Sequence, residues 1–135
     1  MAYRLTYNEH PSYLHAKADG GTHDEKTVRK VLMEVHETCV KRNCSAVLIE
    51  MALSGPSLEP YAIFSVIAPQ SEFAKRLRKI AYVDASRERN PERMKFAETV
   101  AANRGVNVKH FRDLEDAHRW MREAPAKNED QEKDG

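Results

Sequence analysis

Ser54 and Ser57 offer the first chemistry in the chain, at the two ends of the turn cluster Ser54-Gly55-Pro56-Ser57. The cluster precedes Leu58-Glu59-Pro60, where proline suits the first turn of a helix. Ser57 reads as the N-cap of that helix. A helix start presents free N–H groups and partial positive charge, so it can hold a phosphate or a carboxylate. Ser54 and Ser57 are therefore candidate anion-binding or phospho-acceptor residues, beside the plainer reading of Ser57 as a cap alone. No Gly-x-Ser-x-Gly elbow surrounds either serine, and no histidine follows in a triad context, which argues against a hydrolase.

The other reactive side chains are poorly grouped. Cys39 and Cys44 are too few for a disulfide framework, and His36 alone does not complete a zinc site, so they read as free thiols. The six histidines, at 10, 15, 23, 36, 110 and 118, never stand at i, i+4 or as His-x-His. No metal and no cofactor is expected. Glu115-Asp116 reads as part of an exposed helix face, which leaves general acid/base catalysis unsupported. The expectation is a protein that is not an enzyme. Residues 72–95 carry eight Lys and Arg against four acids, which suits a solvated face with local ion pairs better than a nucleic-acid patch.

A second candidate site is the helix body Tyr61–Ala68, apolar on most sides and bounded by Pro69. Tyr61, Phe64 and Ile67 would line an apolar pocket or an interface, or simply bury as core.

These sites must be positioned by a small number of elements. Tyr3, Leu5 and Tyr7 alternate, as do residues 13–16, giving two strands broken at His10-Pro11 and ended at Asp19-Gly20-Gly21. So short a connection makes the pair antiparallel. Thr22 and Glu25 form a capping box before a helix to Arg42, whose buried stripe is Val28, Val31, Leu32, Val35 and Cys39. The apolar run 46–53, interrupted by Glu50, reads as a strand covered on both faces. A short strand at 80–83 follows, then a helix opened by Asn90-Pro91 and closed by Gly105. A strand at 106–111 and a helix capped by Asp113 complete the series. The order ββαβαβαβα implies an α/β fold: a mostly parallel five-stranded sheet with an antiparallel edge strand and four main helices.

Composition bounds the rest. The 135 residues fit one domain, expected over 1–124, followed by a polar, disordered tail at 125–135. Lys and Arg number 22 against 21 Asp and Glu, too balanced for a protein held to nucleic acid or an anionic membrane by bulk charge. Mean hydropathy is -0.72, and no run approaches the roughly 20 apolar residues of a spanning helix. The start, MAYRLTYNEH, lacks the apolar core of a signal peptide, so a cytoplasmic location is expected.

Residues 79–121, with Lys79-Ile80-Ala81-Tyr82-Val83-Asp84, Arg104-Gly105, Phe111, Asp113, Ala117 and Trp120, resemble the SpoIIAA-like family of small bacterial proteins. That family is related to the STAS domain and to the lipid-binding CRAL-TRIO fold. The resemblance implies a non-catalytic binding module, with a regulatory serine at the start of the helix after the third strand in a pattern like Asp-Ser-Ser-Gly. Leu53-Ser54-Gly55-Pro56-Ser57 occupies that place without the aspartate. The function expected is binding of a protein partner or small anion at this helix start, with phospho-regulation. The alternative is a carrier or sensor of a lipid or other apolar small molecule. A homodimer through the apolar second helix is compatible with either.

Overall fold

The computed structural model describes residues 3–123; the expected tail from 125 onward lies outside them. The elements are β1 (Arg4–Glu9), β2 (Leu14–Thr22), α1 (Glu25–Lys41), β3 (Ala46–Ser54), α2 (Pro60–Ala74), β4 (Lys79–Val83), α3 (Pro91–Asn103), β5 (Val108–Phe111) and α4 (Leu114–Arg122). The strands form one five-stranded sheet in the order β1-β2-β3-β4-β5. β1 runs antiparallel to β2, and every later pair is parallel. This is the α/β architecture expected from the element order.

Each parallel connection steps to the next strand in the same direction. Right-handed crossovers then send α1, α2 and α3 to one face of the sheet, and α4 after the last strand covers the other. The period of two along the strands separates two cores accordingly. Leu14, Ala16, Val47, Ile49 and Ile80 face Val31 and Val35 of α1 and Val66 of α2. Leu48, Ala81 and Val83 face Ala117 and Met121 of α4. β3 is buried on both faces, as its continuous apolar run requires. Its single charge, Glu50, lies on the α4 side and accepts a hydrogen bond from His15 Nε2 at 2.9 Å.

Three local expectations are corrected. The cap of α1 is Asp24, whose carboxylate accepts from the Thr27 N–H at 2.8 Å, and not Thr22. Thr22 instead ends β2, because Gly20 and Gly21 continue that strand rather than stop it. Gly21 leaves room for Tyr3: a Cβ there would lie 2.9 Å from the Tyr3 Cβ. Helix α2 begins at Pro60 with Glu59 as its cap residue and runs through Pro69 to Ala74. Pro69 sacrifices one helical hydrogen bond, but burial of Ser71 and Ala74 beyond it carries the helix onward. The remaining terminators behave as their residue types dictate. Asn90 and Asp113 cap α3 and α4 with their side chains, and Gly105 takes φ +82° after α3.

Candidate ligand-binding site

Between the sheet and the three helices on its face lies a cavity of about 150 Å³. Ile49, Ile80, Tyr82 and Val108 form its floor. Leu32 of α1, Ile63 and Ile67 of α2, and Ala97 of α3 form its walls. It exists because α3 supplies only small or half-buried residues toward the sheet: Val100 and Ala101 bury fully, whereas Met94 and Ala97 do not.

The rim at the carboxyl ends of the strands is polar, with His23, Ser57, Asp84 and Arg89. Arg89 organises it. Its Nε donates to Asp84 Oδ2 at 2.7 Å and its Nη2 to the Leu53 carbonyl at 2.7 Å, while Nη1 reaches the Gly55 carbonyl. His23 Nδ1 donates to the Pro56 carbonyl at 2.8 Å. Burial, aided by the Arg89 charge, holds the His23 imidazole below its ordinary pKa. The loop 54–57 is thus fixed from both sides.

At the sheet end of the cavity stand Tyr82 and His110, paired across β4 and β5. Burial raises the Tyr82 phenol above its ordinary pKa, and the Asp84 charge adds to the rise. Burial lowers the His110 imidazole against the opposing pull of Asp84 and Glu98. Glu98 is committed to the backbone, accepting the His110 N–H at 2.5 Å. His110 Nε2 is buried and has no hydrogen-bond partner among the described residues.

Comparison with protein-family models and with curated proteins finds no match. Among solved structures, the chain is similar to an uncharacterised protein from Shewanella loihica PV-4, of the DUF3478 family. That protein has a SpoIIAA-like fold, shares 20% sequence identity and superposes with a TM-score of 0.51. The match covers 88% of this chain and 93% of that one. The fold is SpoIIAA-like. At that identity the likeness establishes architecture and leaves function to the site.

Within the SpoIIAA-like sheet, the candidate residues separate. Ser57 lines the cavity rim, but it does not cap α2: its Oγ accepts the Asn90 N–H at 2.6 Å, tying the loop to the start of α3. Ser54 is exposed, and its carbonyl accepts the His23 N–H at 2.6 Å. Ile67 lines the cavity, whereas Tyr61 and Phe64 point outward, 74% and 46% exposed. Phe64 carries the Arg104 guanidinium 5.0 Å from its ring centre.

Other groups gather where the sequence spacing gave no sign of them. On the α4 face, His118 Nδ1 lies 2.6 Å from the Tyr13 hydroxyl, and its ring centre is 5.0 Å from His15 and 5.3 Å from His10. These histidines come from a loop, a strand and a helix, so no local motif could reveal them. No group able to hold a metal ion occurs among the described residues. Cys39 and Cys44 are free, and burial pushes the Cys39 thiol up to about 11, which keeps it protonated and unreactive. Two members of the basic stretch are buried. Arg89 is in the rim, and Lys79 is buried with its Nζ donating to the Trp120 carbonyl at 2.5 Å, where it closes the end of α4. Among the described residues, no helix is long and apolar enough to cross a membrane.

Proposed function

We propose that this chain is a non-catalytic binding module that senses or carries a small apolar molecule, held between the sheet and helices α1–α3. The observation that carries this reading is the cavity of about 150 Å³ walled by aliphatic side chains. A space of that size lined by apolar side chains is large enough for a molecule the size of benzene. It is too small for the acyl chains of a diacyl lipid, so the ligand class is narrower than a general lipid carrier would suggest.

The geometry favours this over an anion at the start of α2. The Gly55 N–H already donates to Glu88 Oε1 at 2.9 Å, and Glu59, the cap residue of the helix, brings a second carboxylate to the same end, 3.6 Å from Arg93. A further anion there would meet two carboxylates. The rim groups also support binding over catalysis. Asp84 is neutralised by Arg89, and Ser57 and His23 are each engaged with backbone groups.

Toluene is a suitable probe. At a hundredfold excess over Kd it should stabilise the protein by about 2.7 kcal/mol, read as a rise in Tm. Ala97→Phe, which fills the cavity from α3, should abolish that rise while the variant remains folded. An unchanged Tm for the wild-type protein in saturating toluene, with no adduct in native mass spectrometry, would overturn the reading.

A further inference from the structure

The cavity walls are apolar, and among the polar side chains that line it His110 has a buried nitrogen, Nε2, without a partner. A buried polar atom without a partner is destabilising, so a ligand group that pairs with it gains affinity. His110 lines the cavity, but Nε2 itself exposes less than 1 Å², so a ligand group reaches it only if the ring turns toward the cavity. Of the polar groups nearby, Glu98 accepts the His110 N–H and Asp84 is held by Arg89, which leaves the Tyr82 hydroxyl beside His110 as a second group a ligand could meet. Imidazole Nε2 is a donor or an acceptor according to tautomer, and a hydroxyl complements either. A ligand carboxylate would not, because it would share the cavity with the Glu98 carboxylate that accepts the His110 N–H. It would also bury an unpaired charge.

We infer that the ligand is a neutral hydroxylated molecule of about one aromatic ring, a phenol or an alcohol of similar size, whose hydroxyl meets His110 Nε2. This inference rests on the cavity being a ligand site, and it adds the polar group by which the ligand is chosen. One end of the molecule would sit against Ile63 and Ile67 and the other between Tyr82 and His110.

The experiment compares p-cresol with toluene on the whole protein, wild type and His110→Phe, at pH 8. The hydroxyl contact is worth roughly tenfold in affinity. The ratio of p-cresol to toluene affinity should therefore fall about tenfold in H110F, while toluene binding is retained. In the wild-type protein, the ¹⁵N resonance of His110 Nε2 should shift on adding p-cresol and not on adding toluene. That second measurement needs no variant and so decides the matter even if H110F does not fold. An unchanged affinity ratio, or a His110 resonance indifferent to p-cresol, overturns the hydroxyl assignment and leaves the apolar site standing. Failure of both probes to bind overturns the site itself.

Discussion

Arg89 Nε lies 2.7 Å from Asp84 Oδ2, and the two side chains are only 1% and 2% exposed. The guanidinium also binds the Leu53 and Gly55 carbonyls, so one buried cation joins the end of β3 to the loop after β4. Paired, the two charges satisfy each other; separated, either is stranded in a dry site.

Arg89→Met should therefore lower stability by about 3–5 kcal/mol, because it leaves the Asp84 carboxylate buried and unpaired. The double variant Arg89→Met with Asp84→Leu should recover part of that loss, since no charge then remains. Urea unfolding midpoints measure both. A single variant within about 1 kcal/mol of the wild-type protein would show that the pair does not close the rim.

Gly21 makes a sharper local prediction. A Cβ at this position would lie 2.9 Å from the Tyr3 Cβ and 3.4 Å from Leu53 Cδ2. Gly21→Ala should cost about 1–3 kcal/mol as overpacking. Because the nearer atom is itself a Cβ, Tyr3→Ala should not relieve the clash, while Tyr3→Gly should. Equal midpoints for those two double variants would mean that the edge strand simply moves aside.

The sheet and its helices were legible because the signals are local and strong. The apolar run at 46–53 had to be a central strand, and Asn90-Pro91 and Asp113 mark helix starts by chemistry that the structure repeats. The misreadings came where tertiary packing outweighs local preference. Thr22 and Ser57 are good caps by type, yet one is paired in β2 and the other holds Asn90. Pro69 should stop a helix, yet burial beyond it keeps α2 intact. The site was mostly illegible. His23, Asp84, Arg89 and His110 are scattered over 88 positions of sequence and meet only because β2, β3, β4 and β5 end side by side. Arg89 was hidden most effectively, since in a basic stretch it looks like every other surface arginine.

The three apolar residues singled out on α2 should respond differently. Tyr61 is 74% exposed, so Tyr61→Ser should change stability by no more than about 0.5 kcal/mol. Phe64→Ser loses the Arg104 contact at 5.0 Å, worth about 0.5–1 kcal/mol at an exposed site. Ile67 is half-buried against the core, and Ile67→Ala should cost about 2 kcal/mol or more. The same unfolding midpoints check the ranking, and size-exclusion chromatography with light scattering adds the oligomeric state. Loss of more stability from Tyr61→Ser than from Ile67→Ala would mean that the outer face of α2 is covered in solution, as a homodimer would require.

Acid should destabilise the fold well before its carboxylates titrate. Four histidines, His23, His36, His110 and His118, are each held below the ordinary imidazole pKa, with burial the largest cause in every case. Around His118, the charges of His15, His10 and Arg122 press in the same direction as burial, and Glu50 opposes them. Around His36, the hydrogen bond to Gln70 at 3.0 Å opposes burial. A lowered folded pKa means that the unfolded chain takes up protons first as the pH falls. Stability is then fully present above the unfolded imidazole pKa of about 6.5 and is lost progressively below it. Each histidine can add at most about 1.4 kcal/mol per pH unit to that slope. The lowered carboxyls of Asp24 and Glu25, whose partners are the Thr27 N–H and Arg29, extend the loss to more acid pH. Urea midpoints at pH 8, 7, 6 and 5 should therefore be flat over the first interval and fall over the last two. His36→Leu removes one titrating group and should make the fall shallower by up to one proton's worth. Midpoints that stay level from pH 8 to pH 5 would mean that these imidazoles gain their protons in the folded state as easily as in the unfolded one.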